Sequence, residues 1–449
     1  MEIMLPFYKK VAYSMGRFGS SFLLTLTGLT AFWIYGTVFE LNWFLDGIAL
    51  AVSYLVIGLT HWLTGYYSDS LETRLGRRKP FVIIGAPGVA ITGFLLFVPN
   101  WFINTGDPNI ELTVFGYYLL MICLFKFFYA FLLTAFQAWL PEITDADERP
   151  LVSSMQNTAN WVANGLGVVI GFMTPLLFLA GPPPGLSTIG FTIVIVIAII
   201  TVLFYLPSIA FIREKSDIVI PKRSLREETA TVMKNPTYVR WIIIVGFLSF
   251  SFSAITTQIV GYAQTVLLLT SMEQILPPAI ALLVSIIIFL FIWLKALKKY
   301  GKGRLMLYSL FVLAAIMAMT PFLGALTGVL SNVVVASLYF IPLAACMAIY
   351  YLMKYIVPAD IIQVDELASG QSRAGIYEGF MGVPLNIFQA VSAFLLGWFM
   401  EYSVISTGNT LFGYLWWGPL FAPFLLVAAW ILRKTDIDPD FEALKAQHG

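Results

Sequence analysis

Twelve apolar runs of about 20 to 28 residues, separated by short polar turns, make up most of the 449-residue chain. As a helix rising 1.5 Å per residue, each run can cross a hydrocarbon layer about 30 Å thick. The pattern predicts membrane helices near Tyr13–Val38, Trp43–Tyr67, Pro80–Trp101, Leu112–Leu140, Met155–Leu179 and Thr188–Ile212. A second set follows near Trp241–Leu269, Ile275–Leu294, Leu305–Leu330, Asn332–Val357, Tyr377–Tyr402 and Thr410–Leu432. The longest polar stretch, carrying REKSD, PKRSLREE and KNP, divides six spans from six. The expected plan is a six-helix bundle over residues 1–212, a linker over 213–240, a second bundle over 241–432 and a tail over 433–449.

Composition excludes a soluble protein. The chain is 59% hydrophobic and only 11% charged, with a mean hydropathy of +0.84, whereas soluble domains carry roughly 25% charge. Of the 26 lysines and arginines, 24 lie in, or within about a turn of, the two tails and alternate connections. The other connections carry none, and such a bias keeps basic loops on the inner side, so both termini are expected in the cytoplasm. With a net charge of +1 and no extended basic face, the chain offers nothing to nucleic acid. Anionic lipid headgroups account for the basic rim. The opening MEIMLPFYKK lacks a basic segment ahead of a cleavable apolar core, so the first apolar run is expected to stay as a span.

Enzyme signatures are missing. His61 and His448 are the only histidines, too few for a histidine-rich metal centre. Cys123 and Cys346 fall inside spans without CxxC spacing, and no phosphate-binding glycine loop stands between strand and helix. Neither a cofactor nor a metal is expected. The two halves echo each other instead: GYYSDSLETRLGRRKP after the second span parallels LKALKKYGKGR after the eighth. Likewise LPEITDADER after the fourth parallels VPADIIQVDELASGQSR after the tenth. Paired six-span halves with a mid-membrane site are how many secondary transporters are built, which favours a carrier over a receptor.

Four groups of residues could carry chemistry. In GYYSDSLETRLGRRKP, Asp69 precedes Arg74, Arg77, Arg78 and Lys79, so its carboxylate could pair with guanidinium groups in one state and release them in another. The plainer reading is a topological signal, which needs only the positive charges. Lys126 sits near the middle of the fourth span, where a charge costs about 2.5 to 3.5 kcal/mol on insertion scales. It either packs as a structural lysine, neutralises an anionic solute group such as a uronate, sulfonate or phosphate, or carries a proton. Lys354, about a turn from Pro358, can reach the interface with its stem. All 25 acids fall in loops or near span ends, so no mid-membrane carboxylate is expected to hold a coupling ion, which leaves His61 and Lys126 for that role. The fourth group is amides and aromatics suited to a sugar-like ligand: Trp33, Gln137, Gln156, Asn157, Asn160, Asn164, Gln258, Tyr262, Asn386 and Gln389. Buried amides also serve as glue between membrane helices, and both readings stay open.

The glycine-arginine turn after the second span resembles that of the major facilitator superfamily. GYYSD with RLGRRKPF looks closest to the glycoside-pentoside-hexuronide:cation symporters and the sucrose-proton symporters. YSMGRFGSSFLL, QAWLPEITDADERPLVSS and PADIIQVDELASGQSRAGIYEGF extend the likeness to the first branch across both halves. The resemblance implies an all-α membrane protein with twelve helices in two bundles, rocking around a sugar-sized cavity, working as a monomer and coupled to sodium or protons. It also implies gating and interdomain contacts by Asp69 and its arginines, by Glu142 with Arg149, and by Asp365 with Arg373. The binding chemistry departs from the family. Where melibiose-type members have acids on the first, second and fourth helices, this chain has Ser21, Ile57, His61 and Leu133. Gln156 and Gln389 replace basic residues, and Lys126 stands where sucrose-type members have an acid. A sugar or glycoside-like solute, or an anionic one, is therefore expected. A lysolipid-type amphiphile carrier, an uncoupled facilitator and a scaffold without transport are the alternatives.

Overall fold

The computed structural model describes residues 6–70, 73–103, 108–144, 148–179, 185–212, 230–369 and 374–439. Fourteen helices carry these residues. In the first half they are α1 (Phe7–Met15), α2 (Arg17–Trp33), α3 (Trp43–Ser70), α4 (Lys79–Leu95), α5 (Ile110–Ile143), α6 (Arg149–Leu177) and α7 (Thr188–Phe211). In the second half they are α8 (Pro236–Thr265), α9 (Met272–Tyr300), α10 (Lys302–Ala318), α11 (Thr320–Leu326), α12 (Asn332–Ser369), α13 (Ala374–Thr407) and α14 (Leu411–Leu432). A two-residue antiparallel pair, Phe178–Leu179 with Gly185–Leu186, closes the link from α6 to α7.

Each of the twelve predicted positions holds helix, and ten spans are long and apolar enough to cross a membrane outright. The two that differ have local causes. α4 is only 17 residues long because Pro99 opens a 3-10 turn after it. The ninth span is broken into α10 and α11 with a bend of 57°. The bend is held from outside: the Thr320 hydroxyl lies 3.0 Å from the Met317 carbonyl and 2.9 Å from that of Leu415. Tyr262 donates to the Thr320 carbonyl at 2.7 Å.

The chain forms two compact units, Met1–Pro221 and Lys222–Gly449. Their internal packing is the same scheme twice. In the first, α1 and α2 pack on α6 and α7, α3 packs on α5, and α4 packs on α5 and α7. In the second, α8 packs on α13 and α14, α9 on α12, and α10 on α12 and α14. The opening span of each unit is its buried hub, 72% buried over Phe7–Val38 and 83% over Pro236–Thr265, against 33% for α7 and α9. The faint sequence repeat is thus a repeat of helix packing.

Turns between elements use the residues that chemistry favours. Asn42 accepts from the amides of Phe44 and Leu45 at the start of α3, and Asn235 does the same for Thr237 and Tyr238 at the start of α8. Gly76 (φ 104°) and Gly301 (φ 78°) occupy matching places, just before α4 and α10, in backbone conformations that side chains rarely tolerate.

Candidate functional site

Four groups of polar residues in the first unit line one interface. α3 and α5 run in the same direction side by side, and their polar groups meet in rungs spaced seven or eight residues apart, two helical turns or about 11 to 12 Å. Asp46 stands beside Tyr118. Two turns on, the Lys126 ammonium lies 5.0 Å from the centre of the Tyr54 ring. Two turns further, His61 Nδ1 lies 2.7 Å from Thr134 Oγ1. The last rung is at the basic end, where Arg78 bonds Glu142 Oε1 through Nε at 3.1 Å and Nη2 at 2.9 Å. Its Nη1 donates to Ser68, the α3 member of that rung.

Each rung has its own character. Lys126 is only 4% exposed, so it points neither to lipid nor to open water. Its positive charge rests on the face of Tyr54, a cation–π contact, and among the described residues no acid forms an ion pair with it. At His61 the roles can be assigned: Thr134 gives its one proton to the Ala130 carbonyl at 2.8 Å, so Nδ1 is the donor to Thr134. Tyr129 meets the imidazole edge-on at 6.5 Å. The Arg78–Glu142 pair is 5% and 9% exposed, and Arg77 adds a contact to the same carboxylate at 3.1 Å.

Asp46 adds to the reading of the acids. Its place is the span end that the sequence predicts, the first turn of α3, and what the sequence does not show is its burial. In the fold it is 0% exposed, because the chain after α2 winds into a π turn, Ile34–Val38, that covers it. Gly36 makes this possible: a Cβ there would stand 2.4 Å from the Trp43 ring. Tyr35 of the same turn stacks on Tyr118 with ring centres 3.9 Å apart.

The other expected ligand residues are scattered. Gln156, 5% exposed on α6, and Gln258, 1% exposed on α8, are buried, and the Nε2 of each has no hydrogen bond. Asn160 and Gln389 are half-buried and Gln137 is exposed. The Asn386 amide bonds back to Gly382 at 2.8 Å, and Asn164 accepts from Thr25 at 2.9 Å, tying α6 to α2. Trp33 is buried at the end of α2, and the Tyr262 hydroxyl is committed to the α10–α11 bend.

Among the gating residues, Arg77, Arg78 and Glu142 come together, while Arg74 and Arg149 are exposed and Asp365 is half-buried on α12. Asp69 ends α3 with its side chain outside the described residues, and Arg373 lies outside them altogether. The resemblance grouped Glu142 with Arg149. The structure joins Glu142 to Arg78, and Glu148 to Lys10 at 2.7 Å. The Lys10–Glu148 pair was hidden in sequence because tail lysines read only as topology signals. The second unit's counterpart of the Arg78–Glu142 pair, Lys302 with Asp360, was hidden too.

Comparison with known proteins places this architecture. The family model described as MFS/sugar transport protein matches residues 12–414. The chain belongs to the major facilitator sugar-transport family. Its apolar spans make it an integral membrane protein. It is similar to the lactose permease of Lactobacillus delbrueckii subsp. bulgaricus, 31% identical over 37% of this chain and 27% of that one. It is also similar to a Salmonella typhimurium protein assigned by name as a 2,3-dihydroxypropane-1-sulfonate exporter, 30% identical over 32% of this chain and 31% of that one. Both matches thus span about a third or less of the relatives' own length. Among solved structures, that of a D-xylose-proton symporter superposes with a TM-score of 0.66 over 96% of this chain and 97% of its own, at 14% identity. That likeness concerns the fold.

Proposed function

We propose that this transporter moves a small polyhydroxylated acid, such as a sugar uronate or sulfonate, across the cytoplasmic membrane by alternating access. Lys126 neutralises the anionic group. The observation that carries this reading is the buried ammonium on the Tyr54 ring, with no acid paired to it among the described residues. A buried charge lacking a counter-charge is strongly unfavourable, and a bound anion removes the imbalance. Gln156, in the same unit as Lys126, keeps a buried amide N–H that could donate to a solute hydroxyl. Of the two relatives matched, one is named for a neutral disaccharide and the other for a polyhydroxylated sulfonate. The basic ends face the cytoplasm, the protein works as a monomer, and uptake is coupled to a cation.

The test is uptake into proteoliposomes by wild type and Lys126→Ala, with glucuronate set against glucose. The reading expects glucuronate uptake to fall at least tenfold, about 1.4 kcal/mol, and neutral uptake to change little. Equal losses for both sugars would refute it. Equal uptake with and without sodium or proton gradients would make the protein a facilitator.

One observation favours a second reading. A largely apolar groove of about 370 Å³ runs between α1–α2 and α6, lined by Val11, Met15, Phe18, Met155, Ala159 and Val162 among others. An acyl chain suits such walls, so a lysolipid belongs in the same uptake panel.

A further inference from the structure

Asp46 is unexplained by the transport reading above and by ordinary helix chemistry. It lies in the first turn of α3, where an acid commonly caps the helix, but the orphan amides of that turn are already met by Asn42. Its side chain is 0% exposed, and neither carboxylate oxygen completes a hydrogen bond of ordinary geometry. The groups that face it are the Tyr118 hydroxyl from α5, the Gly36 amide and the Tyr35 phenol from the π turn. Both phenols are neutral at physiological pH. Among the described residues no lysine or arginine pairs with it, and Lys126 stands two turns further along, about 12 Å away.

A carboxylate in such a place would be a fully buried charge without a paired cation among the described residues, whereas the neutral acid is tolerated. The cover over it is a π turn, a local departure from regular helix of the kind that often marks functional positions. We propose that Asp46 is a proton-binding site of this carrier: it holds a proton while the π turn covers it and yields that proton when the turn opens. On this view it is the outermost rung of the α3–α5 polar ladder and supplies the titrating carboxyl that coupling to protons requires. Coupling rests on the transport reading, but the protonation does not and can be read without any solute.

The experiment is infrared spectroscopy of the full-length protein in liposomes, titrated with protons alone and then with sodium chloride at fixed pH. Wild type is expected to show the carbonyl band of a protonated carboxyl at neutral pH. That band is expected to be lost in Asp46→Asn, to shift in Asp46→Glu and to persist in Lys126→Ala. A wild type without the band, or a band unchanged in Asp46→Asn, would overturn the proposal. So would removal of the band by sodium at fixed pH, which would make Asp46 a cation ligand. Because Asp46→Glu keeps a carboxyl at the site, a misfolded Asp46→Asn protein would not end the test: an unshifted band in Asp46→Glu also counts against the proposal.

Discussion

The two units use the same helix pair for different ends. In the first, α3 and α5 meet through four polar rungs from Asp46 to Glu142. In the second, the corresponding pair is α9 and α12, and between Ile275 and Leu294 α9 carries only Ser285 and Trp293 as polar groups. Trp293 donates to the Ala345 carbonyl at 2.9 Å, and at the basic end a charged rung returns, Lys302 with Asp360. The glycine turn ahead of each charged rung is retained, at Gly76 and Gly301. What repeats is therefore the packing scheme and the basic-end ion pair. The interior chemistry is not repeated, which puts the search for the solute's charged group in the first unit.

That contrast can be broken in graded ways. The largest effect is expected at the first unit's charged rung. Replacing both Arg77 and Arg78 by Met takes the two guanidinium groups from Glu142 in a site only 9% exposed, and breaking a buried pair from one side costs about 3 to 5 kcal/mol. Lys302→Met, where the partners are 20% and 17% exposed, should cost about 1 kcal/mol or less. Chemical denaturation in detergent compares them, and equal losses would erase the difference between the units.

A smaller effect is expected at Tyr54. Replacement by Phe keeps the aromatic face beneath Lys126, while Leu removes a contact worth about 0.5 to 2 kcal/mol. Glucuronate affinity measured by calorimetry should fall about two- to thirtyfold in Tyr54→Leu and stay nearly constant in Tyr54→Phe. An equal fall in both would assign the effect to the hydroxyl. The smallest effect belongs to the apolar interface: Trp293→Phe removes one hydrogen bond worth about 0.5 to 1.5 kcal/mol. Stability should drop by that much with solute affinity unchanged, and a shift in affinity would show that α9 takes part in binding.

Much of the fold could be read from the chain because hydropathy acts over each span by itself. All twelve positions were visible, as were the isolated lysine at 126 and the basic turn at Arg77 and Arg78. The broken ninth span was less visible, since its bend is imposed by Tyr262 and Thr320 from other parts of the unit. The rungs were invisible as rungs. Asp46 and Tyr118, or His61 and Thr134, lie more than seventy residues apart, and their pairing depends on how α3 and α5 are set against each other. The burial of Asp46 was invisible for a related reason, since nothing in the sequence says that the Ile34–Val38 turn folds over it. Tyr262 has a structural duty at the α10–α11 bend, and Asn164 has one as a tie to α2, which shows how little residue type alone separates glue from ligand.

The most direct measurement compares thermal unfolding of wild type and Lys126→Met, each with and without glucuronate. If Lys126 is held in reserve for an anion, removing a buried charge leaves the unliganded protein as stable as wild type or more so. Glucuronate then raises the melting temperature of wild type alone. A variant that is less stable without ligand yet responds to glucuronate as wild type does would make Lys126 a structural residue and contradict the account.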